Sequence, residues 1–190
     1  QRITVKQDPS RSLSVAEVGH YAKFILAEEV IGRGHFEPDT VMRDPRNYYG
    51  DYSSGYTFTA QTMEVEVDPE TGQVDIVDVA SAIDLGRAIN PMAAEGQNEG
   101  CLGQELGPVM LEDIVYDREG RVVNPNLVDY RLPTALDMPP MKGFLVESHE
   151  PNGPYGAKAC GQVSNIPPAA ALASAIYDAV GVRIKDQPIT

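Results

Sequence analysis

Apolar and polar positions change period from one stretch of the chain to the next, and the changes mark its elements. Residues 2–6 read as a short strand. Ser14 followed by Glu17 forms a capping box. It opens a helical stripe of Val15, Val18, Ala22, Ile25, Leu26 and Ile31, which Gly32 closes. From 33 to 55, Gly, Pro, Asp, Asn and aromatic residues follow without a period. That predicts a long irregular connection, of the kind that is functional or draped over a partner.

Alternation then returns. Tyr56, Phe58, Ala60 and Thr62 share one face, and Met63, Val65 and Val67 follow with the phase changed near Thr62, which predicts a bulge. Asp68 to Gly72 is a turn, and 73–83 is the returning strand. Asn90 and Pro91 have the chemistry of an N-cap and first helical position, for a helix to about Gly107. A hairpin is expected over 109–116 and 121–123 around Asp117 to Gly120, and a strand over 142–148. Pro167 and Pro168 start a last helix, Ala169 to about Val180, with Gly181 as its cap. Strands and helices interleave among hairpins, which is an α+β pattern of antiparallel or mixed sheets in one or two lobes.

The chain has 190 residues, enough for one good core or two small lobes, and its 42% hydrophobic content is ordinary for a globular protein. With 28 acidic against 15 basic residues the formal charge is −13, a field that repels phosphate backbones and anionic lipid. Nucleic-acid and membrane partners are therefore not expected. No apolar run approaches the ~20 residues needed to span a bilayer. The two cysteines, Cys101 and Cys160, build neither a disulfide scaffold nor a CxxC zinc site, and the three histidines are scattered. No metal-ligating side chains are expected. The first residue is Gln1, as in a processed or truncated segment, so the sequence says little about a leader. A cytoplasmic location is expected, with a periplasmic one left open.

The candidate chemistry lies in Gly153-Pro154-Tyr155-Gly156-Ala157-Lys158-Ala159-Cys160-Gly161-Gln162. Val65-Glu66-Val67-Asp68 with Gly72-Gln73-Val74, Asp84 to Pro91, Gly96 to Gly100, Gln104 to Gly107, Asn124 to Thr134 and Ala175 to Gly181 accompany it. Each motif alone is common. In this order and spacing, over roughly residues 56–190, they resemble the molybdopterin-binding subunit of the molybdenum hydroxylases, the xanthine dehydrogenase and aldehyde oxidase family. Residues 1–55 fit more loosely. The resemblance implies a molybdenum-cofactor-binding-domain-like α+β fold and the C-terminal portion of a longer catalytic subunit.

It further implies molybdopterin as cofactor, with its dinucleotide form left open, bound in the full complex. The implied partners are the N-terminal half of the subunit and iron–sulfur and FAD subunits or domains. The implied cofactor-binding residues are Gln97, Gly96, Gly156, Ala157, Lys158 and Gly161. Small residues let backbone N–H groups approach a bulky anion, and a Gln amide both donates and accepts. The plainer readings are a capping or surface Gln97, an ordinary turn after Pro154 and a solvent-facing Lys158. Gln162 stands at the position of the family's Glu, the catalytic base. A carboxamide keeps the shape and the hydrogen bonding but accepts no proton. Two functions follow: a component of a molybdenum-dependent hydroxylase-type oxidoreductase, or a non-catalytic cofactor-binding or assembly component of the same fold. Cys160 reads as a structural buried thiol.

Overall fold

A computed structural model describes residues 2–189. The chain divides into two compact units, one ending at Glu37 and one beginning at Pro38.

In the first unit, β1 (Arg2–Val5) and β2 (Asp8–Ser14) form an antiparallel hairpin. Ser14 ends β2 and caps α1 (Val15–Tyr21). Its hydroxyl accepts from the Glu17 amide at 3.1 Å, and its own amide donates to the Glu17 carboxylate at 2.7 Å. The capping box is thus present. The helix is shorter than the stripe predicts. A π turn, Ala22–Leu26, follows α1, and Ala27 at φ 53° ends it, five residues before Gly32. Of the stripe only Ala22 is buried, while Ile25 and Leu26 are more than half exposed. Most helical stability comes from packing a face, and the last turns have little of it.

The second unit opens with the irregular stretch, where Val41 and Asp51 form an isolated bridge. Then come β3 (Phe58–Val67) and β4 (Val74–Asp84), the predicted hairpin, joined by a turn in which the Asp68 carboxylate accepts the Glu70 amide at 2.8 Å. The expected phase change in β3 is absent. Thr59, Gln61, Met63, Val65 and Val67 all face inward. The irregularity instead falls where the register jumps between Glu64 and Val65, leaving Val77 as an extra residue on β4. Two inward polar residues, Thr59 and Gln61, disguise the continuous face. β5 (Met141–Val146) adds to β4 in parallel, so the sheet is mixed, in the order β3-β4-β5.

Helix α2 (Pro91–Met110) starts on Asn90, whose side chain accepts from the Ala93 amide at 3.2 Å. It continues through Pro108, three residues past the expected end, because Val109 is fully buried with Leu172 and Ile176 of α3 (Pro168–Val180). Gly181 at φ 75° caps α3 as predicted. Both helices pack on the sheet face that carries Met63, Ile76 and Val79. Each fully buried aliphatic there contributes roughly 1.5–3 kcal/mol.

The hairpin expected over 109–123 does not form as strands. Its turn is present, but only Tyr116 and Val122 bridge. The Asn124 side chain accepts the Val115 amide at 3.0 Å and donates to the Asp113 carbonyl at 2.6 Å, taking the place of a strand partner. No helix among the described residues is long and apolar enough to cross a membrane.

Candidate functional site

Residues 153–162 run along the ends of β4 and α2, and each part is tied to them by different groups. At the start, the Arg87 amide donates to the Gly156 carbonyl at 2.9 Å, and the Lys158 amide to the Leu85 carbonyl at 2.8 Å. Gly86 and Ala157 thereby form a strand-like bridge. The approach is close. A Cβ added to Gly86, at φ 65°, would lie 2.3 Å from the Gly156 carbonyl oxygen. Gly156 is itself buried, at φ 83°, against the His149 imidazole.

Lys158 does not point into solvent. Its ammonium lies 2.6 Å from Asp84 Oδ2, with side-chain exposures of 9% for Lys158 and 16% for Asp84. The other carboxylate oxygen accepts from Ser148 Oγ at 2.6 Å and from the Gly86 amide at 3.2 Å. Burial pushes the Asp84 carboxyl up. The hydrogen bonds from Lys158, Ser148 and Gly86, with the Lys158 charge, outweigh it and bring the pKa down to about 2. Phe58 lies beneath the ammonium, 5.6 Å from ring centre to Nζ.

Beyond Lys158 the loop is held through its carbonyls. Thr57 Oγ1 donates to Ala159 O at 2.8 Å, and Gln61 Nε2 donates to Ser164 O at 3.0 Å. Gly161 O accepts from the Gln97 carboxamide and from the Cys101 thiol at 3.2 Å. Beneath it Ser81 and Asn98, both fully buried, bond each other, with Ser81 Oγ 2.8 Å from Asn98 Oδ1. Gln61 Nε2 joins them at 3.0 Å from Ser81 Oγ. Gln61, Ser81 and Asn98 thus tie β3, β4 and α2 to the turn at 163–165.

Between α2 and the loop lies a cleft of about 420 Å³, whose lining includes Arg87, Asn90, Gln97, Lys158, Cys160 and Gly161. That size suits a small-molecule ligand. The structure brings Gln97, Ala157, Lys158 and Gly161 together in it. Gly96, beside Gln97 on α2, is exposed and lies outside the lining, as does Gln162, the residue after Gly161. The Gln162 side chain is exposed and does not cap the short 3-10 turn, Val163–Asn165, that it precedes. Cys160 is half-buried, packed on Ile83, Leu85 and Ala94.

The cleft suits an anionic ligand that approaches the backbone closely, on three counts. Asn90 and Ala93, at the positive end of α2, line it. Arg87 is exposed in its wall. A Cβ added at Gly161 would meet nothing within 4 Å, so the backbone there is open to close approach.

Sequence reasoning missed Asp84, Ser148, Thr57 and Arg87. Asp84 opens the Asp84–Pro91 motif, and its partner lies 74 residues on. Nothing in a single sequence signals that pairing.

The fold is shared with molybdenum hydroxylases. Quinoline 2-oxidoreductase from Pseudomonas putida 86 superposes with a TM-score of 0.71 over 100% of this chain and 24% of its own, at 28% identity. Aldehyde oxidoreductase from Desulfovibrio gigas superposes with a TM-score of 0.67 over 79% of this chain and 16% of its own, at 30% identity. The chain belongs to the molybdopterin cofactor-binding domain family, whose sequence model matches residues 1–139. The match begins in the stretch whose motifs fit loosely and stops short of the 153–162 loop. A xanthine dehydrogenase molybdenum-binding subunit from Escherichia coli O157:H7 is 37% identical over 134 residues, 70% of this chain and 18% of that protein. The gamma subunit of the 6-hydroxypseudooxynicotine dehydrogenase complex of Paenarthrobacter nicotinovorans is 34% identical over 145 residues, 75% of this chain and 18% of that protein. The chain therefore spans about a fifth of the length of these relatives.

Proposed function

We propose that this chain forms part of the molybdopterin site of a hydroxylase-type oxidoreductase. The observation that carries the reading is the convergence of Gln97 with Ala157, Lys158 and Gly161 on one cleft. They are some sixty residues apart in sequence, yet they meet in a cleft whose wall suits an anion. Gln97 and Gly161 would hold the ligand directly, with Gly96 beside them. Gly156, Ala157 and Lys158 would set the position of the loop. When bound, the cofactor supplies the two-electron chemistry and the acidified water for hydroxylation. The rest of the subunit and iron–sulfur and flavin partners are part of the same reading. It is supported by relatives that are described as molybdenum-binding subunits and as members of complexes.

Gln162 is exposed and free to hydrogen-bond a substrate, donating through Nε2 and accepting through Oε1. It accepts no proton. That one residue favours a second reading, a cofactor-binding component without turnover.

Gln162→Glu in the assembled enzyme separates the two. With Gln162 standing where a base is required, the substitution raises turnover ~10²–10⁴-fold and gives the pH–rate profile an acidic limb. Molybdenum content stays unchanged. Bound molybdenum with no turnover in either form selects the non-catalytic reading. Assembled protein without molybdenum sinks both.

A further inference from the structure

We infer that Asp84, Lys158 and Ser148 form a buried latch that fixes the 156–161 loop on the end of β4, so that the charge of Lys158 serves the fold rather than a ligand. The latch rests on its own geometry. Only its consequence for cofactor loading rests on the proposed function.

Four observations carry it. The ion pair closes at 2.6 Å with both side chains largely out of water. Both carboxylate oxygens of Asp84 are engaged, one by Lys158 and the other by Ser148 Oγ and the Gly86 amide. The backbone on each side is already paired, Lys158 N to Leu85 O and Arg87 N to Gly156 O. The three side chains come from three places, the last residue of β4, the segment after β5 and the loop itself, so the latch joins segments that are remote in sequence.

A buried charge that loses its partner is strongly destabilising, whereas removing both charges together is close to neutral. A latch and a direct ligand contact therefore predict different patterns. In a latch, Asp84→Asn and Lys158→Met damage the loop alike, and the double variant recovers. In a direct contact, Lys158→Met acts alone, and neutralising Asp84 does not repair it.

The test is hydrogen exchange by mass spectrometry on the assembled enzyme, read on peptides covering 84–89 and 153–161, with molybdenum content measured on the same samples. Each single variant is expected to speed exchange in both peptides roughly tenfold or more, reflecting local opening. Asp84→Asn/Lys158→Met returns exchange to within about threefold of the parent. Molybdenum content follows loop protection. If a single variant does not accumulate, Ser148→Ala reads the same latch, with a smaller rise in both peptides. The latch is overturned if Lys158→Met lowers molybdenum while exchange stays at the parent level, or if the double variant opens as far as the singles. If the exchange pattern holds in protein that contains no molybdenum, the latch stands and the cofactor reading falls.

Discussion

The two halves of the 153–162 loop are built in opposite ways. From Gly153 to Lys158 the chain is locked by its backbone and by the buried side chain of Lys158. It carries a bridge to Gly86, an ion pair to Asp84 and a glycine in a left-handed conformation. From Ala159 to Gln162 it is held through its carbonyls, by Thr57, Gln97 and Cys101, and by the Cys160 side chain packed on Ile83, Leu85 and Ala94. The side chain of Gln162 stays free. The difference teaches how a rigid anchor can serve a presenting segment. Ordering entropy is lost in the first half, where packing and pairing repay it. The second half inherits its position and keeps its open surface for a ligand. Substitutions should follow this division, with large effects on folding before Lys158 and effects on loading after it.

The largest expected effect is at Gly86. An alanine there must adopt a left-handed backbone and place its Cβ against a carbonyl oxygen and the Lys158 amide. Strain and overpacking together cost roughly 2–5 kcal/mol. Urea unfolding of Gly86→Ala measures it. A loss below about 0.5 kcal/mol would show that the anchor is soft, and the contrast between the halves would disappear.

The next effect is in acid. The folded pKa of Asp84 is about 2, below the ordinary 3.8. Its stabilisation is therefore fully present above pH 3.8 and is lost as pH falls through about 2. The shift corresponds to about 2 kcal/mol. Unfolding free energy followed from pH 5 down should show this slope, and Asp84→Asn should flatten it. Asp78, also on β4, is the control. It pairs with Lys142 in the open, with side-chain exposures of 28% and 66%. That carboxyl is also lowered, first by the hydrogen bond from Lys142. Water screens such a pair, so Asp78→Asn should change the acid slope less. Equal changes would mean that burial of the latch adds nothing.

How much of this was legible in the sequence depends on how local the determinants are. The capping box at Ser14 and Glu17, the Asp68–Gly72 turn, Asn90 before Pro91 and Gly181 after α3 act within a few residues, and all lie where the sequence places them. Elements decided by distant packing were misplaced. α2 runs past Gly107 because Val109 is buried with α3, and the stripe of α1 ends early because Ile25 and Leu26 lack packing. The 113–123 segment took its pairing from a side chain, Asn124, which no alternation of hydrophobic residues records. At the site, the family motifs pointed to Gln97 and to the loop. The ion pair between Asp84 and Lys158 was invisible, because its members belong to different motifs and either could have faced water.

The smallest effect on folding is expected at Gly161, and it sharpens the comparison most directly. Gly161 shares a loop with Gly156, yet an added Cβ meets nothing within 4 Å and no left-handed backbone is required. Gly161→Ala should leave stability unchanged or raise it by up to ~1 kcal/mol, since alanine restricts the unfolded chain. Its carbonyl still accepts from Gln97 and Cys101, so the presenting segment keeps its place. What changes is the space beside the cleft, where the new methyl group stands in the path of a ligand that packs against the backbone. Unfolding and molybdenum content, measured on the same assembled protein, should therefore part company, with stability held and loading reduced. Parallel losses in both would place Gly161 with the anchor instead. Full loading with full stability would mean that the ligand does not approach the loop at this residue, and the cofactor-facing role would then fall to Gln97 and the wall formed by Arg87 and Asn90.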